Sequence, residues 1–368
     1  MTKKVKRTGE ANEGLTWQKL PDRLEEITPD FLTAVLSVRW PDIAVRSVRV
    51  AAVSQGSATR AQLELEYDKG GDAPPPASMW VKSSFNELRK LISEWEALEA
   101  EARFYHAPVA KARRPECYFA AFDRTGQSLL LLEDLVKQGA TFGHVTKPCT
   151  VEQAAAILTE LARLHAEFWR SPRRSTDMSW FQTTTTGALS EFYNGNLIDL
   201  MPKLLERGRR RLWVPERLRQ DNALGLAFRR LQQRNNVDDA TFLHFDCHVG
   251  NTFFQADGRG GLLDFQSVRW GRWAHDVGYF LMAAVSIEDR RAWERELLEH
   301  YLSKLRANGV NPPSSKQAQS AYAEQAIYGF LIWFTTMPEM QREEVCQAYC
   351  ERYAAAALDL NSLGTMGL

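Results

Sequence analysis

The chain has 368 residues, 44% of them hydrophobic, enough to fill the core of two domains or one two-lobed unit. Lys plus Arg equals Asp plus Glu at 46 each, and a cut near residue 135 leaves both parts within one charge of neutral. That balance excludes a dominant nucleic-acid surface or an anionic-membrane surface, either of which needs a basic excess. The five cysteines (Cys117, Cys149, Cys247, Cys346, Cys350) form no CxxC pair, which argues against a zinc site or disulfide framework and for a reducing, cytoplasmic setting. No apolar leader follows the basic start "MTKKVKRTGEANEG", and the longest apolar run, "AIYGFLIWFTTM" (326–337), is too short to span a bilayer. A soluble protein is expected.

In chain order, residues 1–24 read as a polar tail. "ITPDFLTAVLSVRW" (27–40) opens a helix, with Thr28 as N-cap and Pro29 at the first helical position. Two β-like runs follow, 45–53 and 59–67; in the second, Leu63, Leu65 and Tyr67 alternate onto one face. The small polar turn between them, "SQGSATR", holds Ser54, Gly56, Ser57 and Thr59. A Pro-rich loop leads into a third strand, "MWVKSS". Then "LISEWEALEAEARFY" places Leu91, Trp95, Leu98, Ala102 and Tyr105 at helical spacing, with Glu94 and Glu101 on a neighbouring stripe. The strands "CYFAAFD" and "SLLLLEDL" complete an antiparallel, β-rich first part by residue 135.

Beyond that point the composition turns helical. Thr150 and Gln153 form a capping-box signal for "VEQAAAILTELARLHAEFWR", whose apolar face includes Leu158, Leu161, His165 and Phe168. Residues 190–235 and 288–360 also read as helical, with Pro and Gly as punctuation, and Arg209–Arg211 as a solvated helix face. Trp169, Trp180, Trp213, Trp270, Trp273 and Trp333 fall in this part; most are expected in the core, with room for a partly apolar cleft near "SWFQTTTTGALSEFY".

Between the helical blocks lies "FLHFDCHVGNTFF" (242–254), followed by "GLLDFQ". A hairpin at Asp257-Gly258 would return Asp264 beside Asn251, with Asp246 on the intervening loop. Two carboxylates and a carboxamide are hard oxygen donors, suited to Mg²⁺ sharing its shell with phosphate oxygens. An Asp near a hydroxyl, an Asn and a metal-binding Asp are the parts of phosphoryl transfer. His244 reads as a buried support of the loop; His248 faces either phosphate or the loop itself, and His165 is a core histidine.

"HFDCHVGN" with "LLDF" resembles the catalytic and metal motifs of the aminoglycoside phosphotransferase and choline kinase group. "LARLHAEFW" and "DVGYFL" are similar to its ecdysteroid-kinase-like branch, over roughly residues 25–340. The resemblance implies an α+β, protein-kinase-like two-lobed fold. Its small antiparallel β-rich lobe (25–135) carries one key helix and binds ATP; its larger, mostly helical lobe (136–368) carries catalysis and the acceptor site. Asp246 would then be the catalytic aspartate, and Asn251 and Asp264 the Mg²⁺ ligands. Lys82 would touch the nucleotide phosphates, paired by Glu101, with the turn residues Ser54, Gly56 and Ser57 nearby. Glu133, Asp134 and Leu135 would form the hinge that meets adenine, and Asp276 would brace the catalytic loop. Phe245 stands where many relatives carry Gly, and Gln266 where protein kinases carry the Gly of their mobile loop. The implied reaction moves the γ-phosphate of ATP to a hydroxyl of a small molecule, preferably a sterol-like or aromatic alcohol. An antibiotic kinase of the aminoglycoside or macrolide type, or an inactive nucleotide-binding module, are the alternatives. No obligate protein partner is evident.

Overall fold

The computed structural model describes residues 16–69, 74–86, 94–107, 111–197, 201, 203, 209–219, 222–237 and 240–368. The chain divides into two compact units, Met1–Pro108 with Glu116–Asp134, and Val109–Pro115 with Leu135–Leu368.

The first unit is built on a six-stranded sheet. Its strands are β1 (Thr16–Trp17), β2 (Ala44–Gln55), β3 (Thr59–Lys69), β4 (Ser78–Ser83), β5 (Cys117–Asp123) and β6 (Ser128–Glu133), in the order β1-β5-β6-β4-β3-β2. Neighbours run antiparallel except β1, which lies parallel to β5. Alternation in β3 sends Leu63 and Leu65 to one face, where they join Val81, Leu129 and Leu131. Helix α1 (Pro29–Leu36) covers that face with Leu32, Val35 and Leu36, and Thr28 caps it by accepting the Phe31 N–H. Each fully buried leucine contributes about 1.5–3 kcal/mol. Helix α2 (Ala97–His106) packs Ala102 against Ala120, Phe122 and Leu130.

Two sequence expectations change here. The tail ends earlier than residue 24: Thr16–Trp17 pairs with β5, and Leu20 is buried. The helix expected over 91–105 starts its regular run only at Ala97, because Glu96 takes a left-handed conformation (φ 57°); Leu91 lies outside the described residues.

In the second unit, α3 (Val151–Glu167) is the central helix, entered through the capping box of Thr150 and Gln153. Its buried Leu158, Leu161, Leu164 and His165 follow the expected face. Strands are short: β7 (Thr141–Phe142), β9 (Thr252–Phe254) and β10 (Gly260–Leu262) make one sheet, while β8 (Thr241–Leu243) pairs with β11 (Arg269–Gly271). Phe168, Phe181, Phe242 and Trp270 pack edge-on behind them, with centroids 4.8–6.1 Å apart, so Trp270 belongs to the core. Every residue of the following helix, Ala274–Ala284, is buried.

The stretch 190–235 is helical in separate pieces, in keeping with its Gly and Pro punctuation. Its described parts are a short helix (Ala188–Phe192), a π turn (Tyr193–Leu197), two 3-10 turns and a regular helix only from Ala223 to Asn235. Arg210 is no solvated face residue. It pairs with Glu343 and donates Nη1 to the carbonyls of Phe334 and Thr336, both at 2.7 Å, closing a helix C-terminus. Among the described residues no disulfide joins the five cysteines, and no helix is long and apolar enough to cross a membrane.

Candidate functional site

In the first unit, β4 carries Lys82 between its register partners Arg60 on β3 and Leu130 on β6. Burial of a lone ammonium costs several kcal/mol, and α2 answers it: Glu101 Oε2 lies 2.5 Å from Lys82 Nζ, with both side chains nearly inaccessible. The left-handed Glu96 sets where α2 begins, and thereby which of its residues reach β4.

The turn joining β2 and β3 places Ser54 on an exposed strand end and Gly56 and Ser57 at the tip. Asn86 Nδ2 holds the Gly56 carbonyl at 2.9 Å, and Thr59 donates to the Gln55 side chain at 2.8 Å. At the end of β6, Asp134 is engaged through its side chain, accepting from Gln62 (2.7 Å), Trp80 (3.1 Å) and Ser78. Glu133 accepts the Glu116 N–H at 3.0 Å, and the Leu135 carbonyl accepts from Gln138 and Ala140. Both acidic side chains of the expected hinge therefore serve the protein.

In the second unit the loop after β8 carries His244, Asp246, His248 and Asn251. Asn251 Nδ2 donates to the Asp246 carbonyl at 2.9 Å and to its carboxylate at 3.3 Å, which leaves the carboxamide oxygen as the end available for another partner. The β9–β10 hairpin returns the chain so that Leu263 N–H reaches the Asn251 carbonyl at 2.8 Å, and His244 Nε2 donates to the Leu263 carbonyl at 2.7 Å. Asp264 follows directly, with a left-handed backbone (φ 64°), and Phe265 packs 4.7 Å from the His244 ring. Register thus brings Asp264 to the same end of the ribbon as Asn251 and Asp246. Among the described residues no cluster of three or more His, Cys, Asp or Glu could hold a metal alone. One carboxylate, one carboxamide oxygen and a nearby second carboxylate fit Mg²⁺, a hard ion that fills its shell with water and phosphate oxygens.

The loop is held from outside. Asp276, with no exposed surface, accepts the N–H groups of His244 (2.7 Å) and Phe245 (2.8 Å) and a hydrogen bond from His165 Nε2 (3.1 Å). Burial acts to raise its carboxyl; the His165 hydrogen bond and the surrounding imidazoles outweigh that and hold it below its ordinary value. His165 in turn meets the Tyr301 hydroxyl at 2.7 Å, as a satisfied core histidine does. His248 turns toward the loop: its Nδ1 accepts the Gly250 N–H (3.1 Å) and meets Tyr349 Oη (3.0 Å), so the neutral ring carries its hydrogen on Nε2, 4.0 Å from Asp246. A Cβ on residue 250 would sit 2.8 Å from that ring, so only glycine fits there. Cys247 is fully buried, and burial pushes its thiol well up, which removes it as a nucleophile.

His275, Arg269 and Tyr349, which sequence reasoning passed over, complete the site around Phe245 and His248. Phe245 has φ 70°, unusual for an aromatic, and is clamped by His275 stacked at 4.0 Å, by Arg269 at 3.8 Å from its ring, and by His275 Nε2 donating to its carbonyl at 2.9 Å. Tyr349 stacks on Trp333 at 3.8 Å beside His248. The one sequence signal was a charged residue, Arg269, inside the apolar strand "VRW".

A search of curated proteins finds no match. Among solved structures, an ethanolamine kinase from Plasmodium vivax is similar over 86% of this chain and 83% of its own, at 11% identity and a TM-score of 0.54. A spectinomycin phosphotransferase, solved with ADP and spectinomycin, is similar over 91% of this chain and 99% of its own, at 10% identity and a TM-score of 0.50. Likeness at those identities establishes the kinase-like fold. The sequence model of the ecdysteroid kinase-like family matches residues 56–309, well over half of the chain. This protein belongs to the ecdysteroid kinase-like family, a family of small-molecule kinase-like phosphotransferases.

Proposed function

We propose that the protein transfers the γ-phosphate of ATP to a hydroxyl of a small, largely hydrophobic alcohol. The observation that carries this reading is the Asp246–Asn251 pair, hydrogen-bonded within a loop whose backbone Asp276 fixes, with Asp264 returned beside it by the hairpin. Asp246 orients the acceptor hydroxyl and takes its proton as the oxygen bonds to the γ-phosphorus; the bond from that phosphorus to the β–γ bridging oxygen breaks, and ADP leaves. Asn251 and Asp264 are the donors suited to Mg²⁺, which when bound offsets the phosphate charge. Lys82, paired with and oriented by Glu101, neutralises the α and β phosphates. Backbone groups near Glu133–Leu135 would pair with adenine, and the turn residues Ser54, Gly56 and Ser57 would supply contacts to the phosphates.

The apolar character of the acceptor is supported by Tyr193, Tyr279 and Tyr328. Burial raises each phenol, and the negative charge of Asp246 raises each further, so their rings stand near the reacting group. The test is incubation with γ-labelled ATP, Mg²⁺ and a broad alcohol library. Label should move to an alcohol, and Asp246→Asn should slow this on the order of a hundredfold while nucleotide affinity stays nearly unchanged. Nucleotide binding without label on any alcohol would leave a binding module in place of an enzyme.

A further inference from the structure

Arg269 lies on β11 opposite Leu243, the residue before the His244–Asp246 run, and only 4% of it is exposed. Its Nε donates to the Ser267 carbonyl at 3.1 Å, its Nη1 to the Ser190 hydroxyl at 2.9 Å, and its guanidinium covers the Phe245 ring. Among the described residues no carboxylate lies within 4 Å of it, and Nη2 makes no hydrogen bond. Burial pushes Arg269 down to about 10, so it remains a cation at neutral pH. A buried cation without a paired anion costs several kcal/mol, a cost that a fold retains where the charge serves a ligand.

Its neighbours lack acceptors too. Asp246, Arg269, Tyr193 and Tyr328 act on one another electrostatically, which puts the four in one locality. The Tyr193 and Tyr328 hydroxyls make no hydrogen bond among the described residues, and the Tyr279 hydroxyl, also under the influence of Asp246, is buried without a partner. Beside one carboxylate there is a surplus of N–H and O–H donors and a fixed positive charge. A cationic acceptor would meet like charge at low dielectric, whereas a carbonyl or carboxylate oxygen would satisfy these donors.

We propose that Arg269 sets acceptor specificity: the alcohol phosphorylated here carries a carbonyl or carboxylate oxygen that takes the Arg269 hydrogen bond, and no ammonium group. This deepens the kinase reading above and rests on it for the identity of the pocket. The probes are the meta and para isomers of (hydroxymethyl)benzoate, (hydroxymethyl)acetophenone and (hydroxymethyl)benzylammonium. Their binding to the full chain is measured by calorimetry, and phosphoryl transfer to each is measured separately. In the wild type the carboxylate or ketone should bind at least about tenfold tighter than the matched ammonium compound, the worth of one charge-assisted hydrogen bond. Arg269→Met should erase that preference without lowering the melting temperature, and Arg269→Lys should keep part of it. Equal or tighter ammonium binding, a preference that survives Arg269→Met, or no binding of any probe at millimolar concentration would overturn the proposal. If Arg269→Met fails to fold, Arg269→Lys decides on the same readout, an unchanged preference counting against the proposal. Selective binding without phosphoryl transfer would instead sink the kinase reading and leave the specificity of the pocket standing.

Discussion

Asp276 accepts the backbone N–H of Phe245 at 2.8 Å with one carboxylate oxygen, and spends the other on His244 and His165. A residue 30 positions downstream thereby sets the shape of the loop that presents Asp246. Asp276→Ala would strand two buried N–H groups at about 1–3 kcal/mol each. We expect a loss of about 3–5 kcal/mol in urea unfolding, with Asp276→Asn intermediate; a loss under about 1 kcal/mol would show that water or a shifted loop replaces the carboxylate.

His275 gives the fold a defined acid limit. Burial pushes its imidazole down to about 4, and the neutral ring both stacks on Phe245 and donates Nε2–H to the Phe245 carbonyl. Because its folded value lies below the unfolded one, the unfolded chain takes up the proton first. Its contribution is fully present above about pH 6.5 and is lost as pH falls toward 4, a decline of up to about 3 kcal/mol. Urea midpoints of the wild type should drop through that window. A His275→Gln chain should show a flatter profile, whatever its stability at pH 7; parallel profiles would assign the acid sensitivity elsewhere.

Stability and turnover should separate at the ion pair of the first unit. Lys82→Met alone leaves the Glu101 charge buried and unpaired, at a cost of about 3–5 kcal/mol. Adding Glu101→Leu should restore most of that loss in thermal unfolding, because an apolar pair of similar volume suits the site. Phosphoryl transfer should stay absent in the repaired double variant. Recovery of activity along with stability would deny Lys82 any role in handling the nucleotide.

Phe245 inverts a familiar ranking. Glycine usually destabilises more than alanine, yet at φ 70° an alanine retains the left-handed strain that glycine escapes. Both variants lose the stack on His275 and the contact with Arg269, worth about 3–5 kcal/mol for a buried phenylalanine. Phe245→Gly should therefore be about 1 kcal/mol more stable than Phe245→Ala by calorimetry, and the opposite order would mean the loop relaxes when the ring is removed.

Much of this architecture was legible in the residues. The alternation of Leu63 and Leu65, the Thr28 and Thr150 caps and the hairpin at Asp257-Gly258 are local signals, and local signals survive folding. The family resemblance carried by "HFDCHVGN" and "LLDF" agrees with the family match over residues 56–309. What stayed hidden depends on contacts distant in sequence. Arg269 was not singled out from the sequence, because its burial comes only from the pairing of β11 with β8. Arg210 reads as a solvated arginine until three carbonyls of a later helix end meet it. The 190–235 stretch was legible as helix punctuated by Gly and Pro, but not where its π and 3-10 turns give way to the regular helix Ala223–Asn235. Trp17 and Leu20 were concealed by polar neighbours.

Those last two residues bear on where the protein can be trimmed. Trp17 sits edge-on to Phe31 and Phe119, Leu20 N–H reaches Asp123 at 2.9 Å, and Gln127 holds the Pro21 carbonyl at 2.8 Å. A shortened chain starting after Pro21 would bare the outer edge of β5 and a patch of aromatic surface together, an invitation to strand-to-strand association. Truncations and fusion junctions belong upstream of Thr16, where this clasp is left whole.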